Sequence, residues 1–249
     1  MALIINADDF GKSEDVNRAI VECFDKGYIT RTTLMANMPY AKEAAELALA
    51  KGFKNRVGLH INLTEGKPLT EGIAKNSDFC DENGVFNAAF YHSTVKRLYM
   101  NRKTVNEIYD EIKAQIEKYH ELGFTLDHID SHHHVHTNYP VLKALRLLSK
   151  EYNFFSIRLS RNLYKGGNLA NRVYKKIYNN QIKSICSMVT DYFGSFKDAE
   201  SYFANEDINV FTKNNTLEIM VHPMYAADGT LVDTEIPFEK EQLLYEVKR

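Results

Sequence analysis

The chain has 249 residues, with 31 Lys and Arg against 33 Asp and Glu, nine His, three Cys and no Trp. Its 44% hydrophobic and 26% charged content is that of a globular chain and excludes a disordered one. A formal charge of −2 excludes the broad cationic surface that nucleic-acid binding needs, though not a small anionic ligand.

In chain order, residues 2–6 are predicted as a strand that stops at the polar turn Asp8-Asp9-Phe10-Gly11. Ser13 caps a helix whose Val16, Ala19, Ile20, Cys23 and Phe24 recur at helical spacing before Gly27. The pattern repeats, with a β-branched strand at 30–35 and a helix at 41–51. Residues 56–64 alternate, placing Val57, Leu59, Ile61 and Leu63 on one face and Gly58, His60 and Asn62 on the other.

Residues 65–103 are weakly patterned. Thr104-Val-Asn-Glu107 reads as a capping box opening a helix with Val105, Ile108, Tyr109, Ile112, Ile116 and Tyr119 on one stripe. A strand at 126–130 runs into a group of histidines, and Pro140 suits the first turn of a helix bearing Val141, Ala144, Leu145 and Leu148. Further strands are expected at 154–159, 182–189 and 217–221, and helical segments at 170–179, 199–205 and from 239 onward. This alternation predicts one α/β domain over 1–249, a parallel barrel unbroken by a linker.

Chemistry in such barrels sits where strands end, which selects Asp8, Asp9, His60, His132 and His222. Adjacent carboxylates repel unless a cation or a shared proton relieves them; the alternative is that one of them caps the following helix. Five of the nine histidines, His128, His132, His133, His134 and His136, fall within nine residues. The run is internal and interleaved with Asp130, Ser131 and Val135, so it is no expression tag; it reads as a metal cue or as a surface tract with incidental metal affinity. In an extended segment His132 and His134 would share a side, with His133 opposed to them.

His60 is either a metal donor or hydrogen-bonded filler. His222, in Met220-Val-His-Pro223 and before a proline expected to stop pairing, sits where an acid or base would. Arg158 is a carboxylate partner in the site or in an ordinary salt bridge. Cys23, Cys80 and Cys186 are odd in number and widely spaced, so they read as reduced thiols and make the cytoplasm the default expectation. No window approaches the ~18 apolar residues of a membrane span.

Four segments in order, Asn6-Ala-Asp-Asp-Phe-Gly11, Gly58-Leu-His-Ile-Asn-Leu63, His128-Ile-Asp-Ser-His-His-His-Val-His136 and Met220-Val-His-Pro223, resemble the motifs of the YdjC-like carbohydrate deacetylases, the chito-oligosaccharide deacetylase family. The resemblance implies a distorted TIM-like barrel, as in polysaccharide deacetylases, and removal of N-acetyl groups from chitobiose-like sugars with a divalent ion. Carried over, it makes Asp9, His60 and His132 the metal ligands, Asp8 the base and His222 the family's C-terminal histidine, here expected to protonate the sugar nitrogen. His134, His136, Arg158 and Asp130 are left to support the ligands or the substrate.

The family implies Mg²⁺, whereas two imidazoles favour Zn²⁺ or another late transition ion. A homodimer is implied by resemblance alone. Residues 65–103 match no motif and are expected to cover the barrel mouth, where the sugar is chosen. The chain stops in a helix-like segment where the family is expected to continue into a further strand, so an incomplete C-terminus is expected. Two rivals are a metal-dependent phosphoesterase, which commonly needs two ions about 3.5–4 Å apart, and a non-catalytic metal- or sugar-binding protein.

Overall fold

Runs of strand-forming residues that must be covered on both faces pair in parallel, with helices packed outside. The computed structural model, which describes residues 3–165, 168–234 and 236–238, contains seven such strands. They are β1 Leu3–Phe10, β2 Arg31–Leu34, β3 Val57–Ile61, β4 His128–Ser131, β5 Ser156–Ile157, β6 Tyr192–Ser195 and β7 Leu217–Val221. They form one sheet in the order β5-β4-β3-β2-β1-β7-β6, every pairing parallel, curled into a distorted, TIM-like half-barrel. Residue 2 and the helix expected from 239 lie outside the described residues. No helix among the described residues is long and apolar enough to cross a membrane.

Period two divides each strand between two environments. On the outer side, the helix Arg102–Glu121 packs its Ile108, Ile112, Ile116 and Tyr119 into the core, and the Tyr119 hydroxyl donates to the Val57 carbonyl at 2.7 Å. On the inner side the sheet is polar: Asn6 donates to Asp8 at 2.8 Å and to Thr33 at 3.1 Å, and Thr33 donates to Asp130 at 2.9 Å. Gly58 is hemmed in by the strands on either side, because a Cβ there would lie 3.0 Å from the His128 carbonyl on β4 and 3.0 Å from Thr33 Cγ2 on β2. We expect Gly58→Ala to cost about 1–3 kcal/mol of stability through overpacking, read by thermal unfolding.

Several expectations are corrected. β1 does not stop at Asn6 but runs through both aspartates, because a bulge between Ala7 and Phe10 puts Asp9 at φ 72° and carries the pairing onward. Thr104 caps nothing; Asn101 caps the helix by accepting from the Thr104 N–H at 2.9 Å, while Thr104 itself is buried in the first turn. There is no strand over 182–189: the helix Leu169–Lys183 consumes Ile182 as its last buried residue, and the strand beside β7 is β6. The sequence of β6 hides it, since Gly194 interrupts the apolar pattern where a Cβ would lie 2.9 Å from the Asp198 side chain.

Residues 65–103 hold three short helices, Glu71–Ala74, Ala89–His92 and Thr94–Leu98, around buried Ile73, Phe79 and Phe90. Buried Glu111 ties their start to the long helix by accepting from the N–H groups of Leu69 and Thr70 at 3.0 and 2.9 Å. Pro223 does not end pairing but redirects it. It opens β8 Pro223–Tyr225, antiparallel to β9 Leu231–Asp233, which in turn pairs with β10 Ile236–Pro237.

Candidate active site

The ends of β1, β3 and β4 bring Asp9, His60 and His132 together. Asp9 Oδ1 lies 3.2 Å from His60 Nε2 and 2.8 Å from His132 Nδ1, and one donor atom from each residue can be chosen so that all lie within 4.8 Å of one another. The β1 bulge makes this possible, since regular alternation would send the side chain of Asp9 to the face opposite Asp8. His60 Nδ1 meets Asp130 Oδ1 at 2.6 Å, and His60 and Asp130 are direct partners in the β3–β4 register. With the Nδ1–H donated to that carboxylate, the Nε2 lone pair is left for the Asp9 side.

Electrostatics agree with a cation site. Burial opposes ionisation of Asp9, but hydrogen bonds from His132 and His60 outweigh it and hold the carboxyl well below its ordinary range. Burial likewise opposes charging His60, yet Asp130, Asp9 and Asp8 push it up to about 10. His132 is raised too, against its burial, by Asp9 and Glu65. One carboxylate and two imidazoles, each imidazole with a carboxylate beside its second nitrogen, are the kind of donor set that fits a divalent metal once the rings are neutral.

Ligation requires neutral imidazole, so protons held at neutral pH must leave when an ion enters. Because both folded-state histidines sit above their ordinary range, affinity should rise with pH through neutrality and binding should release protons. Isothermal titration in buffers of different ionisation enthalpy checks this; binding that is silent to protons and flat with pH is the contrary result.

Asp8 faces the barrel interior and is gripped by Arg158, with Nη1 2.7 Å from Oδ2 and Nη2 2.8 Å from Oδ1. The same guanidinium reaches Asp130 at 2.8 Å and Glu218 at 2.6 Å, and lies 4.7 Å from the centre of the Phe193 ring. All four charged groups are buried, so Arg158 belongs to no surface salt bridge. Burial works against the Asp8 charge, but Arg158 more than offsets it and the carboxyl is held far below its usual range. Glu218, by contrast, is pushed up, chiefly by burial.

His222 sits between β7 and β8 with its side chain 40% exposed and Nε2 4.0 Å from Asp8 Oδ2. Its backbone N–H donates to Asp233 Oδ1 at 2.8 Å. A cavity of about 430 Å³ lies among Asp8, His60, His132 and His222, with Tyr91, His133, His134 and Arg161 also on its walls. A larger cleft of about 520 Å³, between Tyr164, Arg172, Lys176 and Tyr202, contains none of these groups.

The histidine run is not extended. It forms a tight turn over His132–Thr137 with His133 and His134 both left-handed, at φ 52° and 54°, and this overturns the expected sharing of sides. The His133 ring lies 4.1 Å from that of His132 and 5.1 Å from that of Tyr91. His134 lines the same cavity with its ring edge-on to Phe193, the two ring centres 5.7 Å apart, and burial with the Arg158 charge holds it well below the ordinary histidine range. His136 is fully buried against Ser131 at 2.6 Å and pushed down to about 3, mainly by burial; it is absent from the cavity wall.

Sequence reasoning missed Lys12, Glu65, Glu218 and Asp233. Glu65 lies just beyond β3, where the strand-end rule could have found it, with Oε2 2.8 Å from Lys12 and Oε1 3.5 Å from His132. Glu218 stands alone as a charge inside the apolar run Leu217–Val221, and an isolated charge in a buried strand demands a partner.

Fold and site together define an α/β half-barrel with an Asp-His-His group at the C-terminal ends of its strands. The chain belongs to the YdjC-like family: the model for YdjC-like protein matches residues 2–247. Among its relatives are a carbohydrate deacetylase of Thermoanaerobacter pseudethanolicus, 35% identical over 229 residues covering 91% of this chain and 82% of that protein, and one of Halalkalibacterium halodurans, 31% identical over 90% of this chain and 86% of that protein. A crystal structure from Enterococcus faecalis, of a protein named for cellobiose-phosphate cleavage, matches with a TM-score of 0.67 and 27% identity over 91% of this chain and 82% of that one.

Proposed function

We propose that the chain is a metal-dependent carbohydrate deacetylase that hydrolyses the N-acetyl amide of acetylated amino sugars of the chitobiose and chito-oligosaccharide class, releasing acetate. The observation that carries this is the convergence of Asp9, His60 and His132 beside an ionised Asp8, with His222 facing Asp8 at 4.0 Å. The names of the curated relatives support the same activity.

Amide hydrolysis needs an activated water, a polarised carbonyl and a proton for the departing amine. A divalent ion held by Asp9, His60 and His132 would lower the pKa of water and stabilise the oxyanion. Asp8 takes the proton of the attacking water; Arg158 keeps it ionised and fixes the direction of both its oxygens while lowering its basicity. His222 delivers a proton to the sugar nitrogen, with Asp233 anchoring its backbone. Asp130 holds the His60 ring in the tautomer that presents Nε2. Mg²⁺ is the ion carried over from the family and Zn²⁺ the alternative the imidazoles favour; elemental analysis of protein purified without added metal decides between them.

Tyr91 and Glu65 bring residues 65–103 to the cavity and its edge, which supports that stretch as a cover of the mouth that helps choose the sugar. The phosphoesterase reading needs a second ion. Among the described residues the two other groups of metal-capable side chains contain Asp8, Asp130 and Glu218, and Arg158 already fills the space between those carboxylates. The test is acetate release from N,N′-diacetylchitobiose with a series of divalent metals. Acetate is expected; phosphate release from a generic ester instead would favour the phosphoesterase, and neither product would favour a binding protein.

A further inference from the structure

We propose that Glu65 sets the affinity of the Asp9–His60–His132 group for its cation, placing one carboxylate oxygen beside the outer nitrogen of His132 and drawing the Lys12 ammonium off Asp9 with the other. This rests on the reading of those three residues as the cation's donors.

Each imidazole turns one ring nitrogen to Asp9 Oδ1 and the other toward a different carboxylate: His60 Nδ1 is hydrogen-bonded to Asp130 Oδ1 at 2.6 Å, while His132 Nε2, buried and without a hydrogen bond, has Glu65 Oε1 at 3.5 Å as its ion-pair neighbour. A carboxylate behind a ligating imidazole fixes its orientation and raises its donor strength. The two supports differ in rigidity, however. Asp130 is locked inside the sheet at 0% exposure, whereas the Glu65 side chain is 35% exposed and stands on a loop.

Lys12 gives Glu65 its second task. Its Nζ lies 2.8 Å from Glu65 Oε2 and 3.6 Å from Asp9 Oδ2, so a positive charge stands beside the only carboxylate of the donor group. An ammonium there competes with a metal ion for Asp9 and repels it. Glu65 divides its two oxygens between the problem and the donor, neutralising Lys12 while steadying His132. The pair links the turn after β1 to the loop after β3 across the edge of the site.

The test is titration of Zn²⁺ into the metal-free full-length chain by calorimetry. Glu65→Gln keeps the shape and removes the charge, and is expected to weaken Zn²⁺ binding about 10–100-fold. Adding Lys12→Met should recover part of that loss, because the ammonium no longer presses on Asp9, and Lys12→Met alone should bind at least as tightly as the parent. Unchanged affinity in Glu65→Gln, or no recovery in the double variant, overturns the proposal. Asp9→Asn separates the two levels: if it binds Zn²⁺ like the parent, the donor reading fails; if it abolishes binding while Glu65→Gln does not matter, only this inference fails. Thermal unfolding of each metal-free variant confirms folding, and Glu65→Asp, which keeps the charge on a shorter arm, should fall between parent and Gln.

Discussion

Asp8→Asn is expected to lower acetate release about 10²–10⁴-fold, the loss of a positioned general base, while the metal content stays at the parent level. Asn fills the same space and still accepts a hydrogen bond from Arg158, but it cannot take a proton from water. Asp9, His60 and His132 are untouched by the change, so the donor group persists. The fold should tolerate it, because three carboxylates around one guanidinium become two. Acetate assays paired with elemental analysis read both quantities. An active, metal-loaded variant would sink the assignment of Asp8, and a variant that loses the ion with the activity would move Asp8 into the donor set.

Arg158→Met should cost the protein much of its stability, because one guanidinium meets three buried carboxylates. The change strips Asp8 and Glu218 of their guanidinium and leaves Asp130 paired with His60 alone, and breaking a buried pair on one side costs about 3–5 kcal/mol, or roughly 6–20 °C in melting temperature for a chain of this size. Lysine is no substitute, since one ammonium cannot reproduce a fork that meets three carboxylates. The sign of the pH dependence follows from Asp8. Its folded-state pKa lies below the unfolded value, so its contribution is present above the ordinary aspartate range and is lost as pH falls through the folded value. The gap between parent and variant should therefore be wide at neutral pH and close in acid; melting curves across that range check it, and a variant melting with the parent at neutral pH is the contrary outcome.

The first half of the sheet was legible because its signals are local. Apolar period and helix caps mark β1 to β3 and the helices between them, and Ser13 accepts from the Val16 N–H as expected. The residues of the Asp-His-His group could also be marked, since strand ends are where side chains meet and the motifs repeat those of a known family. What stayed hidden is non-local. The bulge that turns Asp9 toward His60 depends on β2, the left-handed pair His133–His134 depends on packing against Tyr91 and Phe193, and β6 gives up a side chain at Gly194 to make room for Asp198. Arg158 could be noticed as a charge, but its three partners come from β1, β4 and β7, and nothing in their spacing joins them.

β1 lies inside the sheet, between β2 and β7, and this bears on how the protein is made. Leu3 pairs with Leu217, so one edge of the first strand of this sheet to be made waits for the last. Until then it is an open edge that can recruit foreign strands, and the closure that ends its exposure is the kind of long-range pairing that forms slowly. A nascent chain halted before β7 carries Asp9, His60 and His132 but not His222, so the proposed cation could be captured before the proposed proton donor exists. Early metal capture would then act as a clamp on β1, β3 and β4 while the remaining strand is still being synthesised.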